Sequence, residues 1–137
     1  MAQYFENANL PSNITEFETY FLSNKFIFKS DNGVFSKSKL DFGTRVLLEN
    51  IPLNELKGDI LDVGCGYGFL GISISKILGV HGTLIDVNKR AVHLTKRNID
   101  ANEVDCEAKL SNVYEDVVDK YDLIITNPPI RAGKSVL

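Results

Sequence analysis

The sequence predicts an α/β fold: a doubly wound, mostly parallel sheet with an antiparallel strand extension at its N-terminus. Two observations predict it. From residue 58 onward, short apolar runs alternate with helical periodicities, the strand–helix rhythm that builds a parallel sheet with packed helices. Before residue 40 the period is two, with turn residues between alternating runs, the pattern of paired antiparallel strands. The 137 residues, 44% hydrophobic and 24% charged, are one domain's worth of ordinary globular chain, unlike a disordered or disulfide-stapled one.

Residues 15–22 alternate, with Phe17, Thr19 and Phe21 on one face and Glu16, Glu18 and Tyr20 on the other. Ser23-Asn24 is a turn candidate, and residues 25–29 alternate again with Phe26 and Phe28 on one side. Asp31-Asn32-Gly33 is a hairpin signal before Val34-Phe35. Near Asp41 a helix begins, because Leu47, Leu48 and Ile51 hold helical spacing until Pro52 ends the run. Residues 58–63 form a buried strand, and Ile72, Ile74, Ile77 and Leu78 a helix stopped by Gly79. Residues 83–87 are the next strand, followed by an amphipathic helix over 89–98 that aligns Val87, Ala91 and Leu94. A weak strand at 107–110 and a strong one at 122–126 complete the series.

Fifteen Lys and Arg against 18 Asp and Glu give a net charge of −3, so the surface as a whole is no unspecific trap for polyanions. A nucleic-acid partner needs a local basic patch. Lys25, Lys29, Lys37, Lys39 and Arg45 populate the N-terminal third, where ordinary solvated surface accounts for any one of them equally well. No apolar run reaches the length of a membrane span, and the N-terminus carries no export signal, so a cytoplasmic location is expected. Cys65 and Cys106 read as free thiols in a reducing compartment. His81 and His93 have no partners at ligand spacing, and no metal is predicted.

Asp62-Val63-Gly64-Cys65-Gly66-Tyr67-Gly68 places glycines at alternate positions directly after a strand and before a helix. Backbone without Cβ atoms admits a ligand closely, and the helix N-terminus offers N–H groups behind it. Gly66-x-Gly68-x-x-Gly71 also matches the dinucleotide fingerprint, but that frame would bury Asp62 and Gly64 inside a parallel strand. Opening the turn at Gly64 instead puts Asp62 at the carboxyl end of its strand, where open α/β sheets bind ligands. Asp86 ends the following strand in the same way. Its carboxylate suits a grip on two ribose hydroxyls, while the competing role is an N-cap for the helix beginning near Asn88.

Asn127-Pro128-Pro129-Ile130 follows the strongest strand. Two prolines remove both N–H donors, and with the Asn127 side-chain oxygen they leave a stiff site of acceptors; the plain alternative is a rigid turn. Acceptors that hold the N–H bonds of a ring-conjugated amine draw its nitrogen toward tetrahedral geometry and stabilise the charge that grows on methyl transfer.

The loop at Asp62, Gly64, Gly66 and Gly68, with Asp86 and Asn127-Pro128-Pro129, resembles the class I S-adenosylmethionine-dependent methyltransferases, which have a Rossmann-like sheet. Asp31-Asn32-Gly33-Val34-Phe35-Ser36, Leu40-Asp41-Phe42-Gly43-Thr44 and Asn127 through Lys134 narrow this. Those segments are similar to the single-domain form of the small-subunit ribosomal RNA guanine-N2 methyltransferase C family. The resemblance implies that Asp62, Gly64, Cys65, Gly66 and Gly68 line the methionine side of the cofactor. It gives Asp86 and Val87 the ribose and Asn112 the adenine edge. Asn127, Pro128, Pro129 and Ile130 then form the catalytic loop, with Asn127 and the Pro128 carbonyl orienting the target amine. Ile130 stands where many such enzymes stack an aromatic residue, so stacking falls to Phe35 or Phe42, each of which also suits core packing. Phe35, Lys37, Arg131 and Lys134 are the candidate RNA contacts.

The expected activity is therefore transfer of a methyl group to guanine N2 in ribosomal RNA or the small ribosomal subunit. DNA adenine or a protein glutamine amide are the alternative acceptors, and cofactor binding without turnover is a third reading. Residues 1–40 form the strand extension and residues 41–137 a methyltransferase domain from which the last strands are absent. A C-terminal truncation is expected on that ground, with strand 122–126 as an exposed apolar edge through which the chain pairs with a second copy.

Overall fold

A computed structural model describes residues 13–31, 58–111 and 123–126, with positions 42, 45, 46, 49, 50 and 121. Two sheets are present among them. Strands β1 (Ile14–Phe21) and β2 (Asn24–Asp31) form an antiparallel hairpin, and β3 (Ile60–Val63), β4 (Gly82–Asp86), β5 (Cys106–Leu110) and β6 (Leu123–Thr126) form a parallel sheet in the order β5-β4-β3-β6. Helices α1 (Phe69–Leu78) and α2 (Lys89–Asn102) follow β3 and β4. Positions 42, 45, 46, 49 and 50 are helical, in keeping with the helix predicted near Asp41.

The chain lays β4 and β5 on one side of β3 and then crosses to add β6 on the other. That reversal is the switch point at which open α/β sheets leave a crevice at their carboxyl ends. In the register of β3 with its neighbours, Val63 pairs with Ile85 on one side and with Thr126 on the other. All three strands therefore end at one level. Among the described strands β6 is an edge, and its Ile124 is 57% exposed.

The hairpin closes over two residues, Leu22 and Ser23, both at positive φ (50° and 65°), between the paired Phe21 and Asn24. The turn lies one residue earlier than predicted, and Asn24 is already strand. Two positive φ values give the tight hairpin whose twist matches its strands, and the Asn24 side chain holds it by donating to the Leu22 carbonyl at 2.9 Å. Across the hairpin Glu16 pairs with Lys29, and Glu18 lies 3.6 Å from Lys25. Arg45 sits over the Phe21 ring at 5.9 Å. The described cations of the anticipated basic patch thus have partners within the chain.

Phe26, Phe28, Phe69, Ile72, Leu84, Val92 and Ile99 form the larger core, which joins the hairpin to α1, α2 and the sheet. A smaller cluster of Ile60, Ile74 and Ile125 binds α1 to β3 and β6. Phe28 meets Phe69 edge to face at 4.9 Å, and Phe69 meets Tyr67 at 5.9 Å, so an aromatic column runs from the hairpin into the loop after β3. Phe42 is 73% exposed, which rules out the core-packing role suggested for it. The segments 32–40, 112–120 and 127–137 lie outside the described residues, and with them the hairpin signal at Asn32-Gly33.

Candidate functional site

β3 stops at Val63 because Gly64 turns to φ +70°, a backbone state that a Cβ atom disfavours. The turn opens at Gly64, as the preferred reading of the motif required. Gly64 and Cys65 both donate their N–H groups to the Ile85 carbonyl at 2.9 Å, folding the loop over the end of β4. Gly66 (φ +60°) and Gly68 (φ +88°) continue the left-handed path into α1, whose N-cap is Gly68 itself, with no side-chain cap bond.

The glycines divide into two kinds. Among the described residues, a Cβ added at Gly64 or Gly66 would meet nothing within 4 Å, so the space above them is open for a ligand. One added at Gly68 would approach the Thr95 methyl at 2.9 Å, and one at Gly71 would reach Asp62 Oδ2 at 2.8 Å and Leu84 at 2.9 Å. The first pair faces the crevice. The second lets α1 pack against α2 and β4. Gly68, expected to line the cofactor, is thus turned by its missing side chain toward the protein interior.

Asp62 is 1% exposed, and its Oδ2 accepts from the Gly71 N–H in the first turn of α1 at 3.1 Å. Its Oδ1 is buried and has no hydrogen-bond partner among the described residues. Burial is the main reason its pKa rises from 3.8 to about 7; the Gly71 hydrogen bond opposes the rise and the charge of Asp86 adds to it. Asp86 accepts from the Gly66 N–H through Oδ2 and from the Asn88 N–H through Oδ1, each at 2.9 Å. The N-cap of α2 is Asn88, whose side chain accepts from Arg90 N and Ala91 N, so the N-cap role considered for Asp86 falls away. Each Asp86 oxygen keeps lone-pair capacity beyond its one bond.

Cys65 is buried, with Sγ 3.7 Å from Thr95 Oγ1, and burial pushes its thiol far above the ordinary range. Its side chain belongs to the interior, and a nucleophilic thiol is excluded there. Val87 is exposed at the end of β4 and belongs to no helix, which corrects its assignment to the buried stripe of α2. Asn112, Asn127, Pro128, Pro129, Ile130, Arg131, Lys134, Phe35 and Lys37 lie outside the described residues. His81 has Asp105 at 3.0 Å and Glu107 at 3.5 Å, an ion-pair setting. Among the described residues no three His, Cys, Asp or Glu side chains are grouped to hold a metal.

Sequence reasoning missed Thr95, Asn98 and Asn102, all buried on α2. Thr95 donates to the Gly66 carbonyl at 2.8 Å and Asn98 to the Tyr67 carbonyl at 2.8 Å. The signal was present: a polar stripe at spacings of three and four, on the helix face that also carries Ala91 and Leu94.

Residues 25–137 match the family described as methyltransferase small domain. The chain belongs to that family. This methyltransferase domain is 40% identical over 140 residues to the uncharacterized protein YbxB of Bacillus subtilis (strain 168), covering 98% of the chain and 69% of that protein. It is 41% identical over 102 residues to ribosomal RNA small subunit methyltransferase C of Serratia proteamaculans (strain 568), covering 74% of the chain and 29% of that enzyme. Among solved structures it is similar to the T. thermophilus 16S rRNA N2 G1207 methyltransferase (RsmC) in complex with AdoMet and guanosine. The TM-score there is 0.74 at 29% identity, over 93% of this chain and 36% of that one. A tRNA (uracil-54, C5)-methyltransferase of Pyrococcus abyssi, in complex with S-adenosyl-L-homocysteine, shares the fold (TM-score 0.64, 24% identity, 83% of this chain and 28% of that one). The methyltransferase domain thus spans about a third of the characterised relatives it matches.

Proposed function

We propose that the chain binds S-adenosylmethionine across the carboxyl ends of β3 and β4 and serves methyl transfer to an exocyclic amine, with guanine N2 of small-subunit ribosomal RNA as acceptor. The observation that carries this reading is the register of β3. Val63, which leads into the open glycine loop, pairs with Thr126, which leads into Asn127. The two motifs therefore start from neighbouring points at one end of the sheet.

The described residues fit the cofactor. Open space above Gly64 and Gly66 receives its methionine side, and the free acceptor capacity of Asp86 suits two ribose hydroxyls. The buried Oδ1 of Asp62, with no hydrogen-bond partner among the described residues, leaves polar capacity beside the loop. Ser111 donates its N–H to the Asp86 carbonyl at 3.0 Å, which brings the chain back beside Asp86 just before Asn112, the residue assigned to the adenine edge. When bound, the cofactor supplies a methyl group activated by its sulfonium. Asn127 and the Pro128 carbonyl accept the N–H bonds of the target amine and hold its lone pair toward that methyl, while Pro129 stiffens the turn and Ile130 borders it. Arg131, Lys134, Phe35 and Lys37 provide the RNA contacts in this reading, which the similarity to RsmC supports.

Incorporation of labelled methyl groups into naked ribosomal RNA, assembled small subunits, DNA and ribosomal proteins tests the acceptor. Labelling confined to DNA or protein overturns the RNA assignment. Calorimetry tests the cofactor, and binding of NADH in place of S-adenosylmethionine would falsify it. Asn127→Ala is expected to lower turnover by about 100-fold or more, on the scale of removing a transition-state acceptor, with cofactor affinity nearly unchanged. Equal losses in both would reduce Asn127 to a structural turn.

A further inference from the structure

Asn98 and Asn102 lie one turn apart on α2, and both treat β2 as a neighbouring strand would. The Asn98 side chain accepts from Lys29 N at 2.7 Å and donates to Lys29 O at 3.1 Å. The Asn102 side chain accepts from Ile27 N at 2.9 Å and donates to Ile27 O at 2.8 Å. Each amide satisfies both backbone groups of its residue, so the helix anchors the hairpin by two rungs.

The two rungs differ in one respect. The third bond of the Asn102 amide stays within α2, to the Asn98 carbonyl at 2.7 Å. That of Asn98 goes to the Tyr67 carbonyl at 2.8 Å, inside the glycine loop, beside the Thr95 bond to the Gly66 carbonyl. A trans peptide points its N–H opposite its carbonyl, so pinning the Gly66 and Tyr67 carbonyls onto α2 fixes the direction of the N–H groups of Tyr67 and Gly68. Gly68 N–H is then aimed back at the Cys65 carbonyl, which it meets at 2.9 Å and so closes the turn. One side chain, fully buried, thus holds both the hairpin and the loop.

We propose that Asn98 is a positioning residue that locks the glycine loop in its cofactor-binding shape and couples that shape to docking of the N-terminal hairpin. This rests on the cofactor reading above. The mechanism is reciprocal: a loop held for the cofactor holds Asn98 in place, and a docked hairpin satisfies the rest of the same amide. Asn102 supplies the internal control, because it anchors the hairpin without touching the loop.

The test compares Asn98→Ala with Asn102→Ala by calorimetry using S-adenosylhomocysteine, alongside urea unfolding. Both variants lose a hairpin rung and are expected to lose similar stability. Asn98→Ala is expected to weaken S-adenosylhomocysteine binding about tenfold, the scale of one buried hydrogen bond, and Asn102→Ala less than about twofold. In a methylation assay the same loss appears in KM for S-adenosylmethionine with kcat unchanged. Equal affinity losses in the two variants overturn the proposal. Amide exchange in the unaltered protein gives a second readout that survives misfolding of a variant. Saturating S-adenosylhomocysteine should slow the Lys29 amide several-fold more than the Ile27 amide, and equal slowing at the two also overturns it. If the unaltered protein binds no S-adenosylhomocysteine, the cofactor reading itself is refuted, an outcome distinct from equal behaviour of two binding-competent variants.

Discussion

Replacing Asp62 by Asn should change how stability depends on pH more than any other single substitution near the loop. The carboxyl is fully buried, one oxygen has no partner among the described residues, and its pKa stands at about 7 against 3.8 for the ordinary side chain. The folded chain therefore keeps a proton that the unfolded chain releases, so the folded state loses stability as pH rises from about 4 to 7 and levels off above. A shift of about three units at roughly 1.4 kcal/mol each amounts to about 4 kcal/mol across that window. Asparagine has no proton to lose, and its oxygen still accepts from Gly71. Urea unfolding of the two proteins at several pH values between 4 and 8 isolates this group, because every other carboxylate is common to both. The variant should gain on the parent by about 4 kcal/mol between pH 4 and pH 8. Parallel stability curves across that range would show that Asp62 is ionised in the fold and that the burial argument is wrong.

The division among the glycines gives a second contrast. Gly66→Ala places a methyl in the open space at a positive φ, and should lower S-adenosylmethionine affinity by more than the roughly 1–2 kcal/mol of stability that strain costs. Gly68→Ala drives a methyl to 2.9 Å from Thr95, and should unfold at distinctly lower urea than Gly66→Ala; the reverse order in urea titrations would refute the assignment. His81 offers a third. Its hydrogen bond to Asp105 raises its pKa above 6.5, so its contribution is fully present below that value and is lost as pH rises through the folded pKa. His81→Gln should erase this high-pH loss, and a variant whose thermal midpoint tracks the parent from pH 6 to 8 would contradict it.

β3, β4 and β6 were legible because each is a short apolar run bounded by glycine or acid, a signal contained within a few residues. The frame of the glycine loop was legible for a related reason: only one frame keeps Asp62 and Gly64 at the end of their strand, and the chain does turn at Gly64. What stayed hidden depends on partners far along the chain. The predicted helix stopped at 98, yet α2 runs on to Asn102. The Asn98 and Asn102 amides are satisfied by backbone 69 and 75 positions away, a pairing no local pattern contains. The Leu22-Ser23 turn was hidden because neither residue favours positive φ, and the side chain that holds it belongs to the next strand. Asp62 and Asp86 were identified as site acids, but that Asp86 would spend an oxygen on the Gly66 N–H required the packed loop.

The register that pairs Val63 with Thr126 also orders events during folding. The hairpin joins residues adjacent in the chain and can form early, whereas β6 can seat beside β3 only after a long intervening segment has been made and its ends brought together. On an elongating chain, the glycine loop, α1, α2 and the pairings among β1 to β5 can all precede the arrival of β6. β6, the strand that precedes Asn127 in the sequence, thus joins the described sheet last, so premature chains can hold a folded glycine loop without β6 beside β3.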